Sequence, residues 1–336
     1  MTLRGLGLCA TGLIAICASG AIAADIPVLD GMPVDRFNKM MAVQDTLASV
    51  SDKHVARGVY EASTLWPAQY RKLNVCFFGG SEEARRLIAS KAMDWMRPDM
   101  AISLDFGKSG IRTCKTDGKV EMQIRVGFDK QGWWSALGHD SVVEEYNPQT
   151  TNSLNLKGLE NATEATWNSE FTRAVHHEFG HALGLGHEHQ SPKSPCEEEF
   201  NWIKIYQLLG GSPNYWPKTQ IDFNMRKYSY PDVVASDFDV HAVMLYQFPS
   251  DFYKTGEKAK CYIPQQNSEI SENERKELAR LYPVDVAARA ERSEKAKAAF
   301  ENLWNKVDKA KRARLSFDPM KAVFGRPPAA NAVDEE

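Results

Sequence analysis

The chain has 336 residues, 43% hydrophobic and 25% charged, a globular composition long enough for one sizeable core with appendages. A net charge of −3 and a pI near 6.3 give no basic surplus, so composition argues against a nucleic-acid partner.

Residues 1–24 stand apart. Arg4 gives a positive start, residues 6–22 are apolar and uncharged, and Ala21-Ile22-Ala23 fits a small-residue cleavage site. The segment reads as a secretory signal peptide rather than a membrane anchor, cleaved after Ala23 or Ala24. No later segment is apolar enough to cross a membrane, so the mature chain is expected to be soluble and exported, either secreted or periplasmic. Beyond the signal, Cys76, Cys114, Cys196 and Cys261 form an even set that suits two disulfides in an oxidising compartment. Three pairings are open. Cys76–Cys114 with Cys196–Cys261 is favoured, because each pair then lies on one side of the histidine motif below. No close C-x-x-C pair speaks for a cysteine metal site.

Residues 25–66 carry no strong motif and are open to three readings: a propeptide, an N-terminal brace, or a helical lead-in over 34–47. Residues 73–78 read as a buried strand ended by Gly79-Gly80. Ser81 is placed to cap a helix to about residue 96, with Glu82 and Glu83 in its first turn and Ala84, Leu87, Ile88 and Ala92 at helical spacing. Residues 101–106 and 121–128 read as strands, the second half-buried because Met122, Ile124 and Val126 alternate with Gln123 and Arg125. Residues 152–156 make a shorter strand, expected at a sheet edge. Asn168 or Ser169 can cap a helix running to about residue 183. The chain then carries Pro192, Pro195, Pro213 and Pro217 and reads as loop until a helix over 272–281. A compact domain, 67–283, closes at Tyr282-Pro283. Residues 284–315 read as an amphipathic helix whose stripe Phe300, Leu303, Trp304 and Val307 is expected to dock on the parent domain. Residues 316–336 form a tail, disordered from about 326.

The chemistry sits in His177-Glu178-Phe179-Gly180-His181-Ala182-Leu183-Gly184-Leu185-Gly186-His187. Residues four apart share a helix face, so His177 and His181 can reach one zinc ion, with Glu178 beside the metal and not on it, free to act as a general base. A continuing helix would carry His187 away. Gly184 accepts left-handed angles, ends the helix and returns His187 to the same ion. Three protein ligands with a fourth position left to water mark a catalytic rather than a structural zinc. His176, His189 and His241 are expected to serve at the surface or in support, not as ligands.

The run H-E-x-x-H-x-x-G-x-x-H resembles the metzincin signature, and the chain is similar to astacin-type members or a close bacterial relative. Glu188 follows the third histidine as in astacins, the stretch containing Met244-Leu-Tyr246 resembles their Met-turn, and Ser271-Glu-Asn-Glu with Leu281-Tyr282-Pro283 resembles the end of their catalytic domain. After Glu188 the chain departs from the family, with His189-Gln-Ser-Pro-Lys in place of the usual arginine and aspartates. The resemblance implies an α+β fold, in which a twisted mixed sheet with two long helices sits above a loop-rich C-terminal subdomain. It implies a hydrophobic floor at Met244, and a movable ligand at Tyr246 whose hydroxyl then serves the oxyanion. It also implies a peptide or protein substrate lying extended along an edge strand, for which residues 152–156 are the candidate. The function implied is a zinc endopeptidase with one catalytic ion. Two alternatives keep the fold: a zinc-stabilised binding module without catalysis, which the presence of Glu178 and Tyr246 argues against, and a cell-wall peptide hydrolase, for which no wall-binding repeat speaks.

Overall fold

A computed structural model describes residues 33–115, 120–212, 214–228 and 237–325. The proposed signal peptide and the expected disorder from 326 lie outside the described residues. In chain order the elements are α1 (Val34–Ala48), α2 (Lys53–Ser63), β1 (Lys72–Phe77), α3 (Glu82–Ala92), β2 (Ser103–Asp105), β3 (Ile124–Gly127), β4 (Trp133–Ser135) and β5 (Leu154–Leu156). The second half holds α4 (Ser169–Ala182), α5 (Cys196–Glu199), α6 (Trp202–Leu209), α7 (Lys218–Met225), α8 (Glu272–Leu281), α9 (Val286–Lys306), α10 (Lys309–Arg312) and α11 (Pro319–Phe324). Among the described residues no helix is long and apolar enough to cross a membrane.

The architecture is α+β. A five-stranded mixed sheet has the order β2-β1-β3-β5-β4, parallel throughout except for the β4–β5 pair. Leu73, Val75, Phe77, Ile124, Val126, Leu154 and Leu156 from the sheet pack against Ile88 of α3 and Val175 and Phe179 of α4 in the main core. Ser81 caps α3 as its sequence suggests, accepting from the Ala84 N–H at 3.1 Å. A second core under the cleft gathers Phe200, Ile205, Met225, Tyr246, Phe248 and Phe252. Disulfides join Cys76 to Cys114 and Cys196 to Cys261, the favoured pairing.

Three expectations need correction. Residues 152–156 are not an edge: β5 lies between β3 and β4, and the edges are β2 and β4. The β3 strand is not half-buried, since Gln123 and Arg125 are as enclosed as their apolar neighbours. A parallel strand inside a sheet is covered on both faces. Arg125 tolerates this because its guanidinium donates to the carbonyls of Met122, Ser141, Asn147 and Thr151 at 2.7–2.9 Å. The proline-rich stretch after the motif is not all loop. Asn201 caps α6, and Pro217 stands at the N-cap of α7.

The helical lead-in exists as α1, and it does not stand alone. Met40, Val43 and Leu47 of α1 and Val59 and Tyr60 of α2 share one core with Phe300, Leu303 and Trp304 of α9 and with Val307. The stripe of α9 therefore docks mainly on α1 and α2 and not on the 67–283 domain expected to receive it, and the helix stops at Lys306 rather than running to 315.

Where α2 meets the sheet domain, Asp140 is buried and accepts from the hydroxyls of Tyr60 at 2.8 Å and Tyr146 at 3.1 Å. Burial pushes its carboxyl up to about 7. An unfolded aspartate ionises near about 3.9, so between about pH 4 and 7 the folded state holds the extra proton and native stability falls as pH rises. Asp140→Asn removes that slope. At fixed zinc concentration, urea unfolding should show the variant gaining at least about 1 kcal/mol on the native protein between pH 4 and pH 8. A stability difference that does not move with pH would refute the buried, costly charge.

Candidate active site

The site is built on α4 and the turn that ends it. Asn168 caps the helix, its side chain accepting from the Phe171 N–H at 2.9 Å. At the far end Gly184 has φ +94°, its N–H donates to the His181 carbonyl at 2.8 Å, and the Leu185 N–H donates to the Gly180 carbonyl at 2.9 Å. This pair of bonds is the Schellman ending, which favours glycine at the left-handed position. Two side chains satisfy the remaining helix carbonyls: Trp66 Nε1 donates to Ala182 at 2.8 Å and the Tyr282 hydroxyl to Leu183 at 2.7 Å. A Cβ on Gly184 would stand 3.0 Å from both Leu65 Cδ2 and the Tyr282 hydroxyl.

The turn returns His187 to the helix face. Ligand nitrogens of His177, His181 and His187 all lie within 4.8 Å of one another, and among the described residues no other such group of three histidines, cysteines or carboxylates forms. Hydrogen bonds behind the rings fix their tautomers. His177 Nδ1 lies 2.8 Å from the Val243 carbonyl, His181 Nδ1 2.8 Å from the Leu185 carbonyl, and His187 Nδ1 3.1 Å from Gln190 Oε1. The amide of Gln190 is oriented by its Nε2, which donates to the Phe223 and Arg226 carbonyls. A carbonyl oxygen only accepts, so each Nδ1 carries its ring's proton and each Nε2 presents a lone pair. The Nε2 atoms of His181 and His187 nevertheless face each other at 3.1 Å. Two lone pairs at that distance call for a cation between them, and neutral imidazole nitrogens are good zinc donors. The donor set fits zinc.

Met244 lies under the helix. A Cβ on Gly180 would fall 2.5 Å from Met244 Sδ and 3.1 Å from Trp95 Cζ2, so a side chain there would lift α4 off its floor. The Met244 backbone is held from both sides, its N–H donating to Glu274 Oε1 at 2.9 Å and its carbonyl accepting from the Glu188 N–H at 3.0 Å. Glu274 also closes a capping box with Ser271 at the start of α8. Burial pushes the Glu274 carboxyl up to about 7. Glu188 accepts from the Asp239 N–H at 2.8 Å, and burial, with the charges of Glu277, Glu274 and Asp239 adding to it, pushes its carboxyl up to about 8. The Tyr246 ring stands 4.6 Å from that of His187 and 5.1 Å from that of His177. Glu178 is buried on α4 between the two helical histidines.

His176 and His189 are not part of the converging group, although the His189 ring stacks on that of His187 with centroids 5.3 Å apart. His176 is enclosed between Asp94 Oδ2 at 3.0 Å and the Ser268 carbonyl at 2.8 Å, and His189 Nε2 meets the Asn224 carbonyl at 2.8 Å. Their support is buried rather than superficial. Sequence reasoning missed Gln190, Glu274 and the edge strand β4. Gln190, one turn past His187, was the most accessible of the three signals.

No protein-family model matches the chain, and no curated protein does. Among solved structures it is similar to myroilysin, with 29% identity and a TM-score of 0.54 over 66% of this chain and 97% of that one. A second myroilysin crystal structure is 28% identical over 66% and 86% of the two chains, with a TM-score of 0.44. High choriolytic enzyme 1, a hatching enzyme zinc-protease from the medaka Oryzias latipes, is 16% identical over 66% and 95%, with a TM-score of 0.37. With converging imidazoles on the eleven-residue motif and a fold shared with the first of these, the chain is astacin-like in fold and carries a histidine triad that could hold a metal ion.

Proposed function

We propose that the protein is an exported endopeptidase that hydrolyses peptide bonds in extended chains, with His177, His181 and His187 holding one zinc ion, Glu178 as the general base and Tyr246 as the oxyanion donor. The observation that carries the reading is the 3.1 Å approach of two imidazole nitrogens whose protons are engaged elsewhere. Bound zinc would polarise the scissile carbonyl and acidify the attacking water. Glu178 takes one proton from that water as its oxygen bonds to the carbonyl carbon, then delivers the proton to the departing amine as the C–N bond breaks. The hydroxyl of Tyr246, whose ring lies beside those of His177 and His187, donates to the oxygen that turns anionic. A substrate backbone pairs with β4, the edge strand that lies beside α4. Its Trp134 is buried, which fixes the strand. Two disulfides support a life in an oxidising compartment. A binding module would need neither Glu178 buried between the ligands nor Tyr246 beside them.

Glu178→Gln should retain zinc and lose about 10²–10⁴-fold in peptide hydrolysis. Metal analysis alongside a casein assay reads both, and residual hydrolysis at the native rate would reject the base. Tyr246→Phe should lower kcat by about 100-fold with a much smaller effect on KM. Gly184→Ala imposes about 1–2 kcal/mol of backbone strain and drives its methyl toward Tyr282, so its zinc content after dialysis should fall well below that of the native protein.

A further inference from the structure

The two N-terminal helices tie together the lips of the cleft. On the upper lip, the Arg36 guanidinium donates to Asn147 Oδ1 at 2.9 Å, the Asn152 carbonyl at 2.6 Å and Thr151 Oγ1 at 2.9 Å, and lies 5.0 Å over the ring of Trp134 in β4. Lys39 reaches the Glu145 carbonyl at 2.7 Å, and Tyr60 reaches Asp140. On the lower lip, Phe37 meets Phe223 edge to face with centroids 5.3 Å apart. The Arg57 guanidinium lies over the rings of Phe223 at 4.2 Å and Tyr228 at 4.6 Å.

Shedding this pair would cost the fold heavily. It would uncover Phe300, Leu303 and Trp304 of α9 and leave the buried carboxyl of Asp140 without its Tyr60 donor. Baring three large apolar side chains costs about 1.5–3 kcal/mol each. A removable segment is built to leave more cheaply.

Between the pair and the triad lies a cavity of about 140 Å³. His181 and His187 form one wall, and Phe37, Met40, Tyr60, Leu137, Phe223 and Tyr228 form the others. Its charged neighbours Arg57 and Glu61 lie 3.8 Å apart and spend their charges on each other. Asp140 also lines it but is bonded to the hydroxyls of Tyr60 and Tyr146, and the amide groups of Gln190 and Asn224 donate to backbone carbonyls. The rest of the wall is mainly apolar and aromatic, and a cavity of about 150 Å³ holds a benzene ring.

We propose that α1 and α2 remain in the working enzyme and, with α7, build the pocket that selects a large aliphatic or aromatic side chain of the substrate beside the cleaved bond. The inference rests on the peptidase reading above and deepens it: specificity is set by a segment outside the motif-bearing domain.

The test uses the zinc-loaded protein purified after export. Intact mass of the active fraction should include residues 33–63, and cleavage of a random peptide library should enrich Leu, Phe or Met at one position flanking the cut. Phe37→Ala and Phe223→Ala, both half-buried side chains, should each lower by on the order of tenfold the ratio of kcat/KM for a leucine peptide to that for its alanine counterpart. An active fraction whose mass begins beyond residue 63 overturns the proposal without touching the peptidase reading. An unchanged ratio in variants that melt like the native protein does the same. Should either variant fail to fold, the mass measurement and the native library profile decide alone. Zinc-loaded native protein that cleaves no peptide in the library overturns both readings together.

Discussion

Three carbonyl oxygens decide what the histidines can do. Val243, Leu185 and the side chain of Gln190 each accept the Nδ1 proton of one ring, two of them from the turn after α4 and one from more than fifty residues on. The Nε2 lone pairs are thereby forced to face a common point, an arrangement that is repulsive until a cation fills it. Folding thus prepares an electrostatic demand that a bound cation would answer, and the histidine spacing is only the visible half of that preparation. The other half is the backbone of Leu185, which reaches His181 because the chain has turned at Gly184.

The segment beneath the site works in the same way. One carbonyl of Val243 orients His177, the neighbouring Met244 carbonyl holds the Glu188 N–H, and the Met244 N–H is held by Glu274. Because α8 presents Glu274, the end of the sheet domain and the floor of the metal site share one carboxylate. A disturbance at α8 therefore reaches the histidines through two residues of backbone, without any side chain of the triad being touched.

Much of this was legible in the sequence wherever the information is local. The histidine spacing, the glycine stop, the caps at Ser81 and Asn168 and the strand of residues 73–78 all depend on neighbours within a few positions. What was hidden depends on distant partners. Arg125 reads as the solvent side of a strand because nothing nearby announces the carbonyls of Ser141, Asn147 and Thr151 that absorb its charge. The edge strand was missed because Trp133-Trp134-Ser135 is too short to show alternation, and its omission made β5 look exposed. Prolines suggested loop where Pro217 opens α7. The capping box of Ser271 and Glu274 was there to be read, but its second bond, to Met244 thirty residues earlier, was not.

Arg36 and Phe37 are adjacent in sequence and grip opposite banks of the cleft, one through hydrogen bonds above and the other through a ring contact below. Enzymes of two lobes commonly breathe about a hinge as they take in substrate. A strap fastened to both lobes, if kept in the working enzyme, opposes that motion. A cleft with its lips tied in this way favours loose, extended chain over the surface of a folded domain.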